Sequence, residues 1–581
     1  MSFPHRSGRW AAVLVALVLV AAQEPPVKIP NPPATTTPPQ NPISPAGPSP
    51  ESKASKMPRT GLSPAKLIPN LCSVHYRIST SSPDCQAFFD QGLGYLYSYV
   101  WMESSRSFET AVQKDPDCAL AWWGLSRALD RWAWGVPAKQ SLHEAAKKAL
   151  QKAYDLRDRA SHREQLLIQA RMQEEGLAPY SGGNAEAHKK AATETLDTMI
   201  SLFDGDLEAW FYRAQLGGGQ NLFGGTTASA LFYKAMIRID PMHPAANHEL
   251  LHHYENIHRP ALGWIYAENY IKSSPGIPHP FHMQAHLATR LGRWDKTSDR
   301  STHAIEMERA YHKDMNVKPS DDHQFSHHLE VLTLSLVHDG RFREAHELRK
   351  EVEGYGFHYW IPWFRMALCE RDWTDAEKIV QEYRKTDKTT AAYLAARLYL
   401  TKGEPARAVP EVEVLQQAIQ QDKNNRQLEY RLWETQGQLM GMTGAFDQGL
   451  DLLAKAVDRS KKDYSHHSWG NGAYFMEIWG TMALQGGKMD VAEEAFLEAL
   501  AHDPGSVRGA LGLQVLCERQ SRSEEAQRYA ELAHRAWRRA EVRSLDAELV
   551  ALRREITTKT QRAERQDEKT QNTIKKSEVN Q

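Results

Sequence analysis

Between Phe88 and Pro116 the chain reads FFDQGLGYLYSYVWMESSRSFETAVQKDP, and the rhythm of this stretch returns further on. Phe88, Gly92, Tyr95, Ser104, Phe108, Ala111 and Pro116 are separated by steps of 4, 3, 9, 4, 3 and 5. The same steps run through Asn247, Leu251, Tyr254, Gly263, Ala267, Tyr270 and Pro275, and through Trp433, Gly437, Met440, Gly449, Leu453, Ala456 and Lys461. They recur in Met476, Gly480, Ala483, Ala492, Phe496, Ala499 and Pro504. Steps of 3 and 4 place residues on one helical face, and the step of 9 leaves room for a turn between two such faces. Small residues such as Gly92 and Ala492 let two helices approach, large ones fill the gap, and the proline ends the second helix. Helical spacing runs through almost the whole chain and strand-like alternation never lasts, so an all-α fold is expected.

The pattern resembles the 34-residue tetratricopeptide (TPR) repeat. The resemblance covers about residues 86 to 540, and it implies a solenoid of roughly a dozen helical hairpins wound into a right-handed superhelix. Leu400 to Ala408 and Asp339 to Ala345 match the turn within a hairpin, whereas residues 312–325 form an insertion. Gly217 to Gly225 replaces an ordinary turn with a glycine-rich stretch. Its glycines follow no strand, so it is not a phosphate loop. Trp122 and Trp433 stand where the repeat wants a large aromatic, and core packing accounts for them. In TPR proteins the first helices of the hairpins line a concave groove, so the resemblance also implies a protein or peptide ligand there.

Length and composition agree with a long repetitive array. The chain has 581 residues, 41% apolar and 25% charged, enough to bury a core despite a mean hydropathy of -0.59. With 71 Lys+Arg against 72 Asp+Glu, nothing points to a nucleic-acid partner. Arg6 and Arg9 precede an apolar run from Ala11 to Ala22, the order of a secretory signal and too short to span a membrane. The expected organisation is a signal peptide over 1–22, a proline-rich disordered linker over 23–69, the solenoid over 70–540, and a polar tail over 541–581. The mature chain then has no membrane span and is secreted or resides in the periplasm or cell envelope. Five cysteines do not make a disulfide scaffold. In an exported chain a Cys72 to Cys85 bridge is expected, with Cys118 as the rival partner.

Fifteen of the 25 histidines fall between His243 and His346. His248 and His252 are four apart and share a helical face, as do His282 and His286. Both pairs are offset by 34 residues, one repeat, so they occupy equivalent places in adjacent first helices. Ala345 stands where Gly263 and Thr297 stand; counting back from it, Glu330 takes the corresponding place beyond the insertion. Two such pairs leaning together can share one ion, since imidazole nitrogens bind zinc at about 2.0 to 2.1 Å. The expected ligands to a transition metal, zinc first, are His248, His252, His282, His286 and Glu330. His279, His327 and Glu255 are expected to extend the site or to fix ring tautomers.

Three functions fit this pattern. The first is an exported interaction module whose groove carries a metal-binding or pH-sensitive histidine cluster. The second is a zinc-dependent hydrolase, because His248-Glu249-Leu250-Leu251-His252 spells H-E-x-x-H with Glu249 as general base. His258 has the spacing of a third ligand but precedes Arg259-Pro260 in what should be a turn, and an open groove lacks the water-excluding pocket that catalysis requires. The third is a structural envelope scaffold with an inert cluster. The two histidine-bearing repeats also resemble those of uncharacterised secreted bacterial TPR proteins, a likeness that implies no activity.

Overall fold

The computed structural model of the chain describes residues 56–217, 224–462, 473–541 and 543–553. The expected signal, most of the linker, most of the tail and the centre of the Gly217 to Gly225 stretch lie outside them. Among the described residues there is no strand. Twelve hairpins follow one another among the described residues, each a first helix packed on the next. The first four are α1 (Pro83–Tyr97) with α2 (Trp101–Lys114), α3 (Ala119–Gly135) with α4 (Leu142–Asp155), α5 (His162–Glu174) with α6 (Ala185–Leu202), and α7 (Leu207–Gly217) with α8 (Thr227–Ile239). The middle four are α9 (Pro244–Asn256) with α10 (Pro260–Ser273), α11 (His279–Arg290) with α12 (Trp294–Met315), α13 (Phe325–His338) with α14 (Phe342–Gly354), and α15 (Trp360–Glu370) with α16 (Trp373–Thr386). The last four are α17 (Lys388–Lys402) with α18 (Pro405–Gln421), α19 (Arg426–Thr443) with α20 (Phe446–Lys461), α21 (Tyr474–Gln485) with α22 (Met489–His502), and α23 (Val507–Arg519) with α24 (Ser523–Ala536). A further helical stretch covers 544–553. The architecture is an all-α solenoid of helical hairpins.

Local chemistry explains the hairpins. Pro83, Pro244 and Pro260 each begin a helix, where a missing N–H costs nothing. Ser161 and Glu164 form a reciprocal cap at the start of α5. Within the first hairpin a Cβ on Gly92 would fall 2.9 Å from the ring of Phe108, which is fully buried. That contact is the physical content of the glycine and phenylalanine places in the repeat, and Gly480 with Phe496 reproduces it at 2.7 Å.

The solenoid winds tightly enough to touch itself. The loop between α1 and α2 meets α9 to α13: Tyr270 Oη donates to Ser98 Oγ at 2.7 Å, and Gln324 Nε2 donates to the Ser98 carbonyl at 3.2 Å. About two hundred residues further on the pattern repeats. Trp294 Nε1 donates to Asp503 at 3.3 Å, Trp537 Nε1 to the His338 carbonyl at 2.7 Å, and Glu541 accepts from the Phe342 and Arg343 backbone N–H groups. At this second crossing a Cβ on Gly505 would fall 2.4 Å from the Gly292 carbonyl oxygen, so the two backbones pass at a distance only glycine permits.

Two expectations are corrected. Part of the linker is not a tether: in the stretch 56–69, Met57 is 1% exposed, and the Arg59 and Thr60 N–H groups both donate to Glu109 at 2.8 Å. The segment continues along the solenoid, with Ser73 N–H on the Ser273 carbonyl and Gly276 N–H on that of Leu71. This docking is also why Cys72 and Cys85 are not bonded. Cys72 Sγ lies 3.3 Å from Ser274 Oγ, while Cys85 faces Cys118 and Asp115, and all five cysteines are free thiols.

Candidate metal centre

The apolar core is continuous from Tyr76 to Leu250 and again from Ile305 to Leu432. Between them the inner faces of α9, α11 and the start of α13 carry imidazoles instead. His243 accepts from the Ala246 N–H and Pro244 opens α9, so that His248 and His252 follow on one face. Pro280 stands in the first turn of α11 and places His279, His282 and His286 on successive turns.

These rings assemble into two groups. One ring nitrogen from each of His248, His252 and His279 lies within 4.8 Å of the others, and the same holds for His282, His286 and His327. Three nitrogens around one zinc ion sit about 3.3 Å apart. In the first group His248 Nε2 and His279 Nε2 are 3.1 Å apart; in the second His286 Nε2 and His327 Nε2 are 3.2 Å apart.

The far sides of three of the rings, His248, His252 and His286, are anchored. His248 Nδ1 donates to the Tyr97 carbonyl at 2.6 Å, which leaves the Nε2 lone pair facing the group. Glu255 serves both groups at once: Oε2 lies 3.4 Å from His252 Nδ1, and Oε1 lies 3.3 Å from His286 Nδ1 and 2.8 Å from Arg290. Burial works to raise Glu255, yet His286, His252 and Arg290 outweigh it and hold the carboxyl well below its usual range. Burial, reinforced by neighbouring imidazoles, holds His248, His279 and His282 well below the ordinary imidazole range. Neutral rings whose nitrogens converge are the form that ligates metal, and a hydrogen bond on the outer nitrogen, as at His248, fixes the tautomer.

The repeat relates the two groups. His248 to His282 and His252 to His286 are each 34 residues apart. His279 to His327 is 48, one period plus the fourteen inserted residues 312–325. Each group therefore takes an i, i+4 pair from one helix and its third ring from the first turn of the next. His279 and His327, expected as outer partners, complete the groups. Glu330 does not join them: it is half exposed and its nearest oxygen lies 3.9 Å from His327 Nδ1. Adjacent helices are staggered along their axes, so a residue one turn before the matching place is the one that meets the preceding pair.

The cluster is closed rather than open to a groove. Tyr99, in the left-handed region at φ 58°, sets its ring 4.5 Å from His248 and 5.8 Å from His279. Glu249 holds that lid in place. Its Oε1 accepts from Tyr99 Oη at 2.6 Å and its Oε2 from Gly224 N–H at 2.8 Å. His258 is exposed in the turn between α9 and α10 at φ 60°, outside both groups. Two further histidines close the rim without having been anticipated. The His328 ring lies 3.9 Å from that of His282, tilted by 30°, with Nδ1 2.7 Å from Glu308, and His323 bonds the Tyr99 carbonyl at 3.0 Å. The insertion delivers His323, and its partner lies 224 residues away, so no local spacing announces it.

No family model and no curated protein sequence matches the chain. Among solved structures it is similar to a human IFIT1 dimer with PPP-AAAA, at 13% identity and a TM-score of 0.28, over 78% of this chain and 95% of that one. It is also similar to yeast Tom70, at 14% identity and a TM-score of 0.29, over 84% of this chain and 99% of that one. At such scores the likeness bears on neither the site nor a ligand.

Proposed function

We propose that the chain is an exported helical-repeat protein that holds two transition-metal ions, one in each three-histidine group, and uses them to clamp neighbouring hairpins of its solenoid. The observation that carries this is the pair of convergent ring-nitrogen sets, with the outer nitrogens of His248, His252 and His286 resting on the Tyr97 carbonyl and Glu255. The first ion would join α9 to α11 and the second α11 to α13. All-imidazole sites suit zinc among the abundant ions, with copper, nickel and cobalt as competitors in the test. Export rests on the signal-like residues 1–22, and a protein or peptide partner on the repeat architecture.

The alternative hydrolase would need Glu249 free beside a metal-bound water. Both its oxygens are instead taken up by Tyr99 and Gly224, which favours a clamp over a catalyst. Metal analysis of protein prepared without a polyhistidine tag and dialysed against Zn²⁺ tests the proposal. Two equivalents are expected in the wild type, one each in His248→Ala and His282→Ala, and none in the double variant; equal content in all four would refute it. Metal-dependent ester or peptide turnover that is lost in Glu249→Gln with both ions retained would instead establish the hydrolase.

A further inference from the structure

The inner face of the later hairpins encloses a second space, of about 730 Å³, bounded by the end of α13, by α15, α17, α19, α21, the turn before α23 and the stretch 544–553. That volume suits a small organic molecule. Leu400, Ile478 and Trp537 supply apolar wall, and Arg365, Arg397 and Arg508 bring guanidinium groups to it.

The charges do not balance locally. Each acid on the wall has a partner of its own: Glu548 pairs with Arg508 Nε at 2.9 Å, Glu477 accepts from Ser506 Oγ at 2.7 Å, and Asp503 accepts from Trp294 and Gly505. Asp503 is moreover pushed up to about 7 by burial, so near neutrality it carries only part of a charge. Arg397 has no such partner. It is 6% exposed, its Nε has no hydrogen-bond partner, and its guanidinium lies 3.6 Å from the centre of the Tyr474 ring. Among the described residues no carboxylate lies within ion-pair distance of it; Glu434 acts on it from further off, and burial pushes that carboxyl up to about 7, so near neutrality it offsets only part of the charge. Arg365 is held below the ordinary guanidinium range by burial and then by the charge of Arg397. A buried cation that faces a cavity with only a partial counter-charge is stabilised further by an anion brought from outside.

We propose that this cavity binds a small organic anion, a carboxylate or phosphate head joined to an apolar body, with Arg397 holding the head and the Leu400, Ile478 and Trp537 wall holding the body. The ligand is independent of the histidine groups, which lie on α9, α11 and the start of α13, whereas only the far end of α13, at Val337 and His338, reaches this cavity.

Calorimetric titration of the full chain with decanoate, decyl phosphate and decanol tests this. Both anions are expected to bind with one-to-one stoichiometry and at least tenfold more tightly than decanol, and the tighter of the two identifies the head group. Arg397→Met should weaken the anions at least tenfold and leave decanol unchanged, with Arg397→Lys intermediate. Equal affinity for alcohol and anions, or undiminished anion binding by Arg397→Met, would overturn the proposal. Should Arg397→Met not fold, the wild type answers alone. Cys369 lines the same cavity, and its alkylation by N-ethylmaleimide, read by peptide mass spectrometry, should slow at least threefold with decanoate and not with decanol. An unchanged rate would count against the site.

Discussion

The inner face of this solenoid is used in two opposite ways. Along α9, α11 and α13 it is packed shut, with neutral imidazoles in contact and Tyr99 over them. Along α15 to α23 it leaves a cavity into which guanidinium groups project. The hairpins are built alike in both halves, so the repeat itself does not decide between a closed site and an open one. What decides is the segment that arrives from one superhelical turn away. The α1 to α2 loop fills the first region, whereas the stretch 544–553 walls the second without filling it. A groove in such a solenoid is therefore a property of pitch and of the ends, and the concave face of a tight winding can be as dry as a core.

The sharpest way to break the comparison is to remove the metal from the closed half. An ion present at about a thousand times its dissociation constant stabilises the folded state by about 4 kcal/mol. Chelation should accordingly lower the urea midpoint of the wild type strongly. The His248→Ala/His282→Ala variant should start lower and respond little. A wild type indifferent to chelator would mean that imidazole packing alone closes this region.

Next in size is a pH effect at the second crossing. Burial raises Asp503 to about 7, against about 3.8 in the unfolded chain. The folded state thus keeps a proton that the unfolded state gives up as pH rises above about 4. Its contribution is most favourable at low pH and is lost as pH rises towards 7, a swing of about 4 kcal/mol if the whole shift is expressed. Asp503→Asn keeps an acceptor for Trp294 and Gly505 and should remove that part of the slope. The difference between variant and wild type in unfolding free energy, measured at pH 4.5 and pH 8, reports it; a pH-independent difference would show that Asp503 is ionised throughout.

A smaller effect tests the lid. Tyr99→Phe removes the hydroxyl that donates to Glu249, leaving the buried carboxyl only the Gly224 N–H. A hydrogen bond to such a group contributes about 1.5 to 3 kcal/mol. Stability should drop by that amount with metal content unchanged, because the ring still covers the histidines. Loss of metal together with the hydroxyl would make Tyr99 part of the site rather than its cover.

Much of this was legible in the sequence, for reasons that differ by residue. The hairpins could be read because Gly92 with Phe108 and Gly480 with Phe496 obey a local spacing that packing enforces. The pairs His248/His252 and His282/His286 could be read because i, i+4 is a property of one helix. Tyr99 and His323 could not, since they reach the cluster through contacts 150 and 224 residues apart in sequence. The docking of 56–69 was hidden by composition: prolines suggest an extended chain, and an extended chain packs well where its N–H groups find acceptors such as Glu109. The expectation of a wet groove failed for the same reason as the missed lid, because closure depends on superhelical pitch.

The smallest expected effect separates register from geometry. Repeat alignment puts Glu330 in line with His248 and His282, while the structure brings His327, one turn earlier, to His286. If equivalence along the repeat governed ligation, Glu330→Gln would cost the second ion and His327→Gln would not. If the stagger between neighbouring helices governs it, the outcomes exchange. Glu330 is half exposed and 3.9 Å from the outer nitrogen of His327, so its charge is well screened and its removal should change stability by less than about 0.5 kcal/mol. Two equivalents of metal in Glu330→Gln beside one in His327→Gln is the result the stagger requires. It would extend to both groups the rule that an i, i+4 pair recruits its third ligand from the first turn of the following helix.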